Sequence, residues 1–387
     1  MTLKNQKTKS TAFLVLILTF GVFSFLGTNI VGADPIPYTS LPRIYIRSDG
    51  TVDPVTAPIQ QVGDMYVFTN NVVNYTLEIQ RNNIIIDGAG YCIQSHVYDF
   101  TGRTYASAGV ILESTTNVTV KDLEIQKYHD GIRIYNSSHC RITQNTLTDN
   151  ENGITLIYSS NISIETNIIT KSIMAIVLGS SNHVNIAGNL ITKNSIGINA
   201  DCNPDSSHHI NITGNNITGN RETGIASAGT GIAVYGGIDI VIVGNNIENN
   251  TRGVYLSYSN CTIYHNSFID NTEQFYGSSY SQTDSMGQRQ IVWDNGTHGN
   301  YWSNYNGIDN DGDGIGDTEH IIQTATTQTE PTTNTPVTHG VNAQDSYPLI
   351  QPIAIPEFPN WTIIALLLSS TLFSAIIKKQ MAKLNQD

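Results

Sequence analysis

Charge is scarce in this sequence: 13% of its 387 residues are Asp, Glu, Lys or Arg, which excludes a disordered polyelectrolyte. Cations are the rarer sign, 19 against 32 acidic residues. Six of the 19 (Lys4, Lys7, Lys9, Lys378, Lys379 and Lys383) sit in the two ends. Duplex nucleic acid, which is held by clustering cations on its phosphates, is thereby excluded as a partner. With five Met, four Cys, no Cys-x-x-Cys and no His-x-His, little is left to hold a soft metal such as copper. Long apolar runs are confined to the ends, so a core between them has to be built from many short elements.

Those ends address the chain to a membrane. Three lysines precede the uncharged run from Thr11 to Val31, and Val31 and Ala33 supply small residues for a cleavage site after Ala33. Residues 1–33 read as a signal peptide or, uncleaved, as an N-terminal anchor. Residues 361–377, Trp361 to Ile377, would make about 25 Å of helix, enough for a short transmembrane span, with a buried core helix as the plainer alternative. Lys378, Lys379 and Lys383 follow in a cytoplasmic tail, 378–387, which places the middle of the chain outside. A Pro-rich stalk, 351–360, precedes the span. Pro356-Glu-Phe-Pro359, an apolar helix and a Lys pair resemble the PEF-CTERM sorting tail of archaeal surface proteins, which implies a tail that is cut and replaced by a lipid. Ten Asn-x-Ser/Thr sequons, among them Asn117, Asn136, Asn161 and Asn211, are compatible with an extracellular glycoprotein.

A 22-residue repeat organises the middle. Gly109, Gly131, Gly153, Ala175 and Gly197 are spaced by 22, and Gly231 and Gly253 resume the period after an insertion of 12. Behind each stands an alternating pair such as Ile132/Ile134 or Ile154/Leu156, the period of a strand. Asn145, Asn167, Asn189, Asn215, Asn245 and Asn266 fill one column, and Asn150, Ser172, Asn194, Asn220, Asn250 and Asn271 another. Asn suits such corners because it tolerates left-handed backbone and its amide can bond the same amide in the next coil. One coil holds too few apolar side chains to offset the ordering of 22 residues, so coils must stack. The expected fold is all-β, a parallel β-helix. A leucine-rich horseshoe is the competitor, but its helical segment is missing and Ile stands where Leu belongs.

Gly131-Ile-Arg-Ile-Tyr, Asn145-Thr-Leu, Ile84-Ile-Ile-Asp87-Gly-Ala-Gly90 and the closing Gly299-Asn-Tyr-Trp-Ser-Asn-Tyr resemble the right-handed parallel β-helix repeats of the NosD-like family. The resemblance spans about Tyr45 to Ile350 and implies an extracytoplasmic, carbohydrate-associated β-helix. The copper role of the family's namesake does not transfer automatically. The expected layout is an N-terminal cap at 40–82, repeats at 83–275, and a C-terminal cap at 276–350 containing a Thr-rich insertion, 323–343.

The sharpest motif for chemistry is Asp309-Asn-Asp311-Gly-Asp313-Gly-Ile315-Gly-Asp317. Carboxylates at every second position, with Gly314 permitting a tight loop, are how Ca²⁺ is wrapped. The loop resembles thrombospondin type-3 repeats more than an EF-hand. Asp309, Asp311, Asp313 and Asp317 are the expected side-chain ligands, with the Ile315 carbonyl contributing. The alternative is a Gly/Asp-rich turn that needs no metal. His183 and His209 share a column on adjacent coils, with His208 beside them, and either share a metal or simply stack. Cys140 and Cys261 fill an inward column five coils apart, too far for a disulfide, while the state of Cys92 and Cys202 is left open.

Many right-handed β-helices are polysaccharide lyases or hydrolases, yet no acid pair stacks in the outward columns, and no catalytic residue is assigned. Glu124, His129, Asp130 and Arg133 form the best leftover group and read as a salt-linked surface rather than an active site. The function that follows is non-catalytic: a membrane-anchored, Ca²⁺-stabilised scaffold at the cell surface that binds envelope glycans through flat Thr/Ser/Asn faces and Tyr301, Trp302 and Tyr305, an aromatic group that more often serves as cap packing than as a sugar platform. The rivals are a lyase or hydrolase with an unrecognised site and a copper-handling protein.

Overall fold

A computed structural model describes residues 41–96, 108–202, 207–221, 229–277, 291–329 and 336–354, and none of these is helical. The N-terminal run and the 361–377 span lie outside the described residues. Three sheets of 11, 11 and 10 strands carry the chain, parallel throughout except for one antiparallel pair at the N-terminal edge of each of the first two, and a two-stranded hairpin (His320–Thr329 with Pro336–Asp345) completes the strands. Register follows the repeat. Ile132 pairs in turn with Ile154, Ile176, Ile198, Ile232 and Val254, so columns of the sequence are columns in space. This is the sheet arrangement of a parallel β-helix, with Ile, Leu and Val side chains of all three sheets filling one continuous core.

The insertion of 12 is divided. Asn189 to Asn215 spans 26 residues and Asn215 to Asn245 spans 30, so the insertion is 4 residues in one coil and 8 in the next, and the columns resume after a register shift between Ser207 and Ile210.

The asparagine corners work differently from the sequence expectation. The left-handed backbone belongs to the residue before each Asn: Gln144, Thr166, Gly188, Gly214, Gly244 and His265 in one column, Asp149, Lys171, Lys193, Gly219, Asn249 and Asp270 in the other. Each Asn side chain instead points inward and is buried, a ladder of amides. Asn167 Oδ1 accepts from the Asn145 backbone N–H at 3.0 Å and from Asn145 Nδ2 at 3.0 Å, and Asn167 Nδ2 donates to the Ile142 carbonyl at 2.9 Å. The ladder thereby satisfies backbone groups that no strand reaches at the corner.

Strict alternation also fails at the glycine column. A Cβ on Gly131 would lie 2.8 Å from Leu147 Cδ2, inside the core, and 2.6 Å from the Gly153 carbonyl oxygen. Gly131 and Ile132 therefore both turn inward, and Asp130 and Arg133 both reach the outer face of the first sheet.

Candidate functional site

The last coil is closed by a carboxylate. Asn300 continues the ladder past Asn266, whose amide nitrogens donate to Asn300 Oδ1 at 3.1 and 2.9 Å, and Trp302 pairs with Phe268 in the inward column. No asparagine follows. Instead Asp345 Oδ2 accepts from Asn300 N at 2.7 Å and Trp302 Nε1 at 2.8 Å, and Oδ1 accepts from Tyr347 N at 3.1 Å. Gly299 must be glycine, because a Cβ there would sit 1.6 Å from Asp345 Oδ1. Burial, only partly offset by these donors, raises the carboxyl's pKa above the ordinary aspartate value. Trp302 is buried and stacked on Phe268 at 4.3 Å, and the Tyr305 hydroxyl donates to the Thr318 carbonyl at 2.5 Å. These two aromatics are cap packing, the plainer of the two roles that the sequence left open to them.

Beside this end lies the acidic loop. One carboxylate oxygen each from Asp309, Asp311 and Asp317 lies within 4.8 Å of the other two, an arrangement able to coordinate a divalent cation. Gly312 and Gly314 turn the chain with φ of 76° and 88°. Asp309 accepts from Gly312 N at 2.7 Å and Gly314 N at 2.9 Å, bonds that hold its pKa below the ordinary value. Asp313 is not in the converging group; its carboxylate accepts from Ile315 N at 2.8 Å. Ile315 forms a bridge with Leu349, while Gly316 N donates to the Pro348 carbonyl at 2.8 Å. Leu349 in turn bridges Tyr301 and donates to the Asn300 carbonyl at 2.9 Å. The loop therefore fastens the closing segment 347–350 against the last coil.

A second group occupies the outer face of the first sheet. Asp130, buried, accepts from Arg133 Nε at 2.6 Å, Asn152 Nδ2 at 2.9 Å and Thr155 Oγ1 at 2.7 Å. His129 places Nδ1 3.3 Å from Asp130 and Nε2 3.6 Å from Glu151. Burial works against the Asp130 charge, but His129, Arg133 and Asn152 outweigh it and hold the pKa far below the usual range. Burial likewise opposes protonation of His129, and Asp130 reverses that to raise its pKa; burial raises that of Glu151. Glu124 does not join them, because it lies on the third sheet beside Cys92 and Thr146. Sequence reading missed Glu151, Asn152 and Thr155, although each stands 22 residues after a member of the group. Farther along this face Tyr235, Tyr255 and Tyr276 form a ladder, with ring centroids 5.0 and 5.6 Å apart.

Copper is not suited by the imidazole pair singled out in the sequence. The His183 and His209 rings are stacked, centroids 4.6 Å apart and planes 10° from parallel, so their in-plane lone pairs run side by side and cannot meet at one ion. All four cysteines are buried and free, and burial pushes the thiols of Cys92 and Cys202 up to about 12. Burial thus disfavours the thiolate form of those two.

Residues 82–307 match the family model described as periplasmic copper-binding protein (NosD). A stretch of 119 residues is 31% identical to the "Probable ABC transporter binding protein NosD" of Pseudomonas aeruginosa, covering 27% of this chain and about a quarter, 26%, of that protein. Among solved structures, the periplasmic alginate epimerase AlgG is 16% identical with a TM-score of 0.44, over 64% of this chain and 76% of that one. The Streptococcus pneumoniae surface protein and adhesin PfbA is 13% identical with a TM-score of 0.39, over 59% and 68%. Since the family model takes in more than half of the sequence, the chain belongs to the NosD family.

Proposed function

We propose that this protein works outside the cytoplasm as a glycan-binding β-helix whose C-terminal end is fastened by Ca²⁺. The observation that carries the reading is the tyrosine ladder on the outer face of the first sheet, where Tyr235, Tyr255 and Tyr276 present rings at the spacing of successive coils. Aromatic faces beside polar side chains are what the C–H faces and hydroxyls of a sugar chain need. Ca²⁺ suits the acidic loop because its donors are hard oxygens on a short, glycine-turned segment. The family's periplasmic designation, the sequons and the lysine-flanked ends support the location, with 361–377 as the anchor. Binding of the full-length chain to an oligosaccharide array tests the reading; a protein that retains no glycan contradicts it. Recovery in the membrane fraction tests the anchor, and a fully soluble protein contradicts that part.

A second reading, cleavage of polysaccharide, draws on the Asp130 group. Asp130 is locked in its ionised form, whereas His129 and Glu151 both have raised pKa values and face each other, a pairing suited to proton transfer. New reducing ends or unsaturated products that vanish in Glu151→Gln would establish it. Their absence with both acidic and neutral polysaccharides leaves binding alone.

A further inference from the structure

At the last coil a groove of about 510 Å³ runs between residues 270–276 and the segments that carry Ser303, Asn304 and His320. Tyr276, whose ring continues the ladder by stacking on Tyr255 at 16°, forms one wall. The cation described beside Tyr276 is already committed: Arg252 lies over the Tyr276 ring at 4.9 Å, and its Nε donates to Glu273 at 3.1 Å. His320 is packed against Trp302 and Tyr305, and burial lowers its pKa, so it is neutral near pH 7. What remains is the exposed carboxylate of Asp270, set on a left-handed turn. Among the described lining residues the groove thus offers an aromatic wall, hydroxyl and amide groups, and a negative charge with no free cation to match it.

We infer that this groove is a subsite for uncharged sugar units, one that rejects polyuronates. The inference rests on the glycan-binding reading and specifies its ligand. A neutral pyranose can lay its C–H face on Tyr276 and bring hydroxyls to Asp270, Ser303 and Asn304. A uronate would set its own carboxylate beside Asp270 in a groove whose described lining holds no free cation, on a chain whose net charge is −13.

The test uses the full-length chain in detergent at low salt, on an array of neutral gluco-, manno- and galacto-oligosaccharides beside oligogalacturonates and alginate oligomers. Neutral chains are expected to bind at least about tenfold more tightly than the uronates. Tyr276→Ala should weaken neutral binding about tenfold, whereas Tyr276→Phe, which keeps the ring, should not. Asp270→Lys should raise uronate binding. Lysine is tolerated there, since Lys127, Lys171 and Lys193 occupy the same left-handed turn in other coils. Uronates that bind as well as neutral chains would overturn the inference and leave the glycan-binding reading standing; no binding to either class would overturn both. Neutral binding that survives Tyr276→Ala unchanged would move the site off this groove and overturn the inference.

Discussion

The repeating coils and the C-terminal cap face the same difficulty, how to satisfy the polar groups of a chain that turns sharply around an apolar core, and they meet it by opposite means. In the coils one contact is copied: an asparagine amide bonds its counterpart above and below from Asn145 to Asn300. The cap copies nothing. It depends on single contacts between residues distant in sequence, such as Asn300 with Asp345, 45 residues apart, and on an acidic loop beside the closing segment. Repetition makes every coil depend on the same contact, whereas the cap rests on one carboxylate and one acidic loop.

The largest effect is expected from breaking the copied contact in the middle of the body. Asn189 is fully buried, donates to the Ile164 carbonyl and Asn215, and accepts from Asn167. Asn189→Ala leaves several buried backbone groups without partners and should cost about 3–5 kcal/mol, read as a fall in the urea midpoint. Chelation sharpens the comparison from the other side. Stripping divalent ions should remove about 2.7 kcal/mol from the cap at an ion concentration 100 times Kd, measured by thermal melts. In Asp311→Ala the chelator should make no difference.

Opposite pH slopes provide a third contrast. Asp130 in the body has a folded pKa below 3.8, so its contribution is present above pH 3.8 and lost as the pH falls through the folded value. Asp345 in the cap has a folded pKa above 3.8; its contribution is complete below pH 3.8 and is lost as the pH rises through the folded value. Asp130→Asn should cost about 2 kcal/mol near neutrality, with a penalty that shrinks in acid. The Asp345→Asn penalty should be greatest in acid, and paired denaturation curves from pH 2 to 7 read both. The smallest effect belongs to His183→Asn, because Asn117 and Asn161 occupy the same left-handed corner in other coils. It should shift stability by no more than about 0.5 kcal/mol and leave any Cu²⁺ uptake, followed by calorimetry, unchanged.

How much of this was legible in the sequence follows the same division. Stacking of Ile132 on Ile154, the asparagine ladder and the wide separation of Cys140 from Cys261 could all be read, because a contact at a fixed spacing is announced by every coil that repeats it. The Asp130 group was half seen: its members within one coil were noticed, while Glu151, Asn152 and Thr155 required adding 22 to each position. Matching Asn266-Ser-Phe268 to Asn300-Tyr-Trp302, 34 residues further on, would have shown Trp302 to be core. Two further features were out of reach. Assignment of the left-handed turn to the residue before each asparagine depends on backbone angles, and the closure by Asp345 is a long-range pairing that occurs once.

Whether the proposed Ca²⁺ fastens the cap and leaves the coils untouched is read at single amides by hydrogen exchange on the full-length protein with Ca²⁺ and with chelator. The expected result is loss of protection on chelation at Gly312, Gly314, Gly316, Asp317, Leu349 and Ile350, with the amides of Asn167, Asn189 and Asn215 unchanged. Equal loss along the whole chain, or no change at the loop, would contradict it.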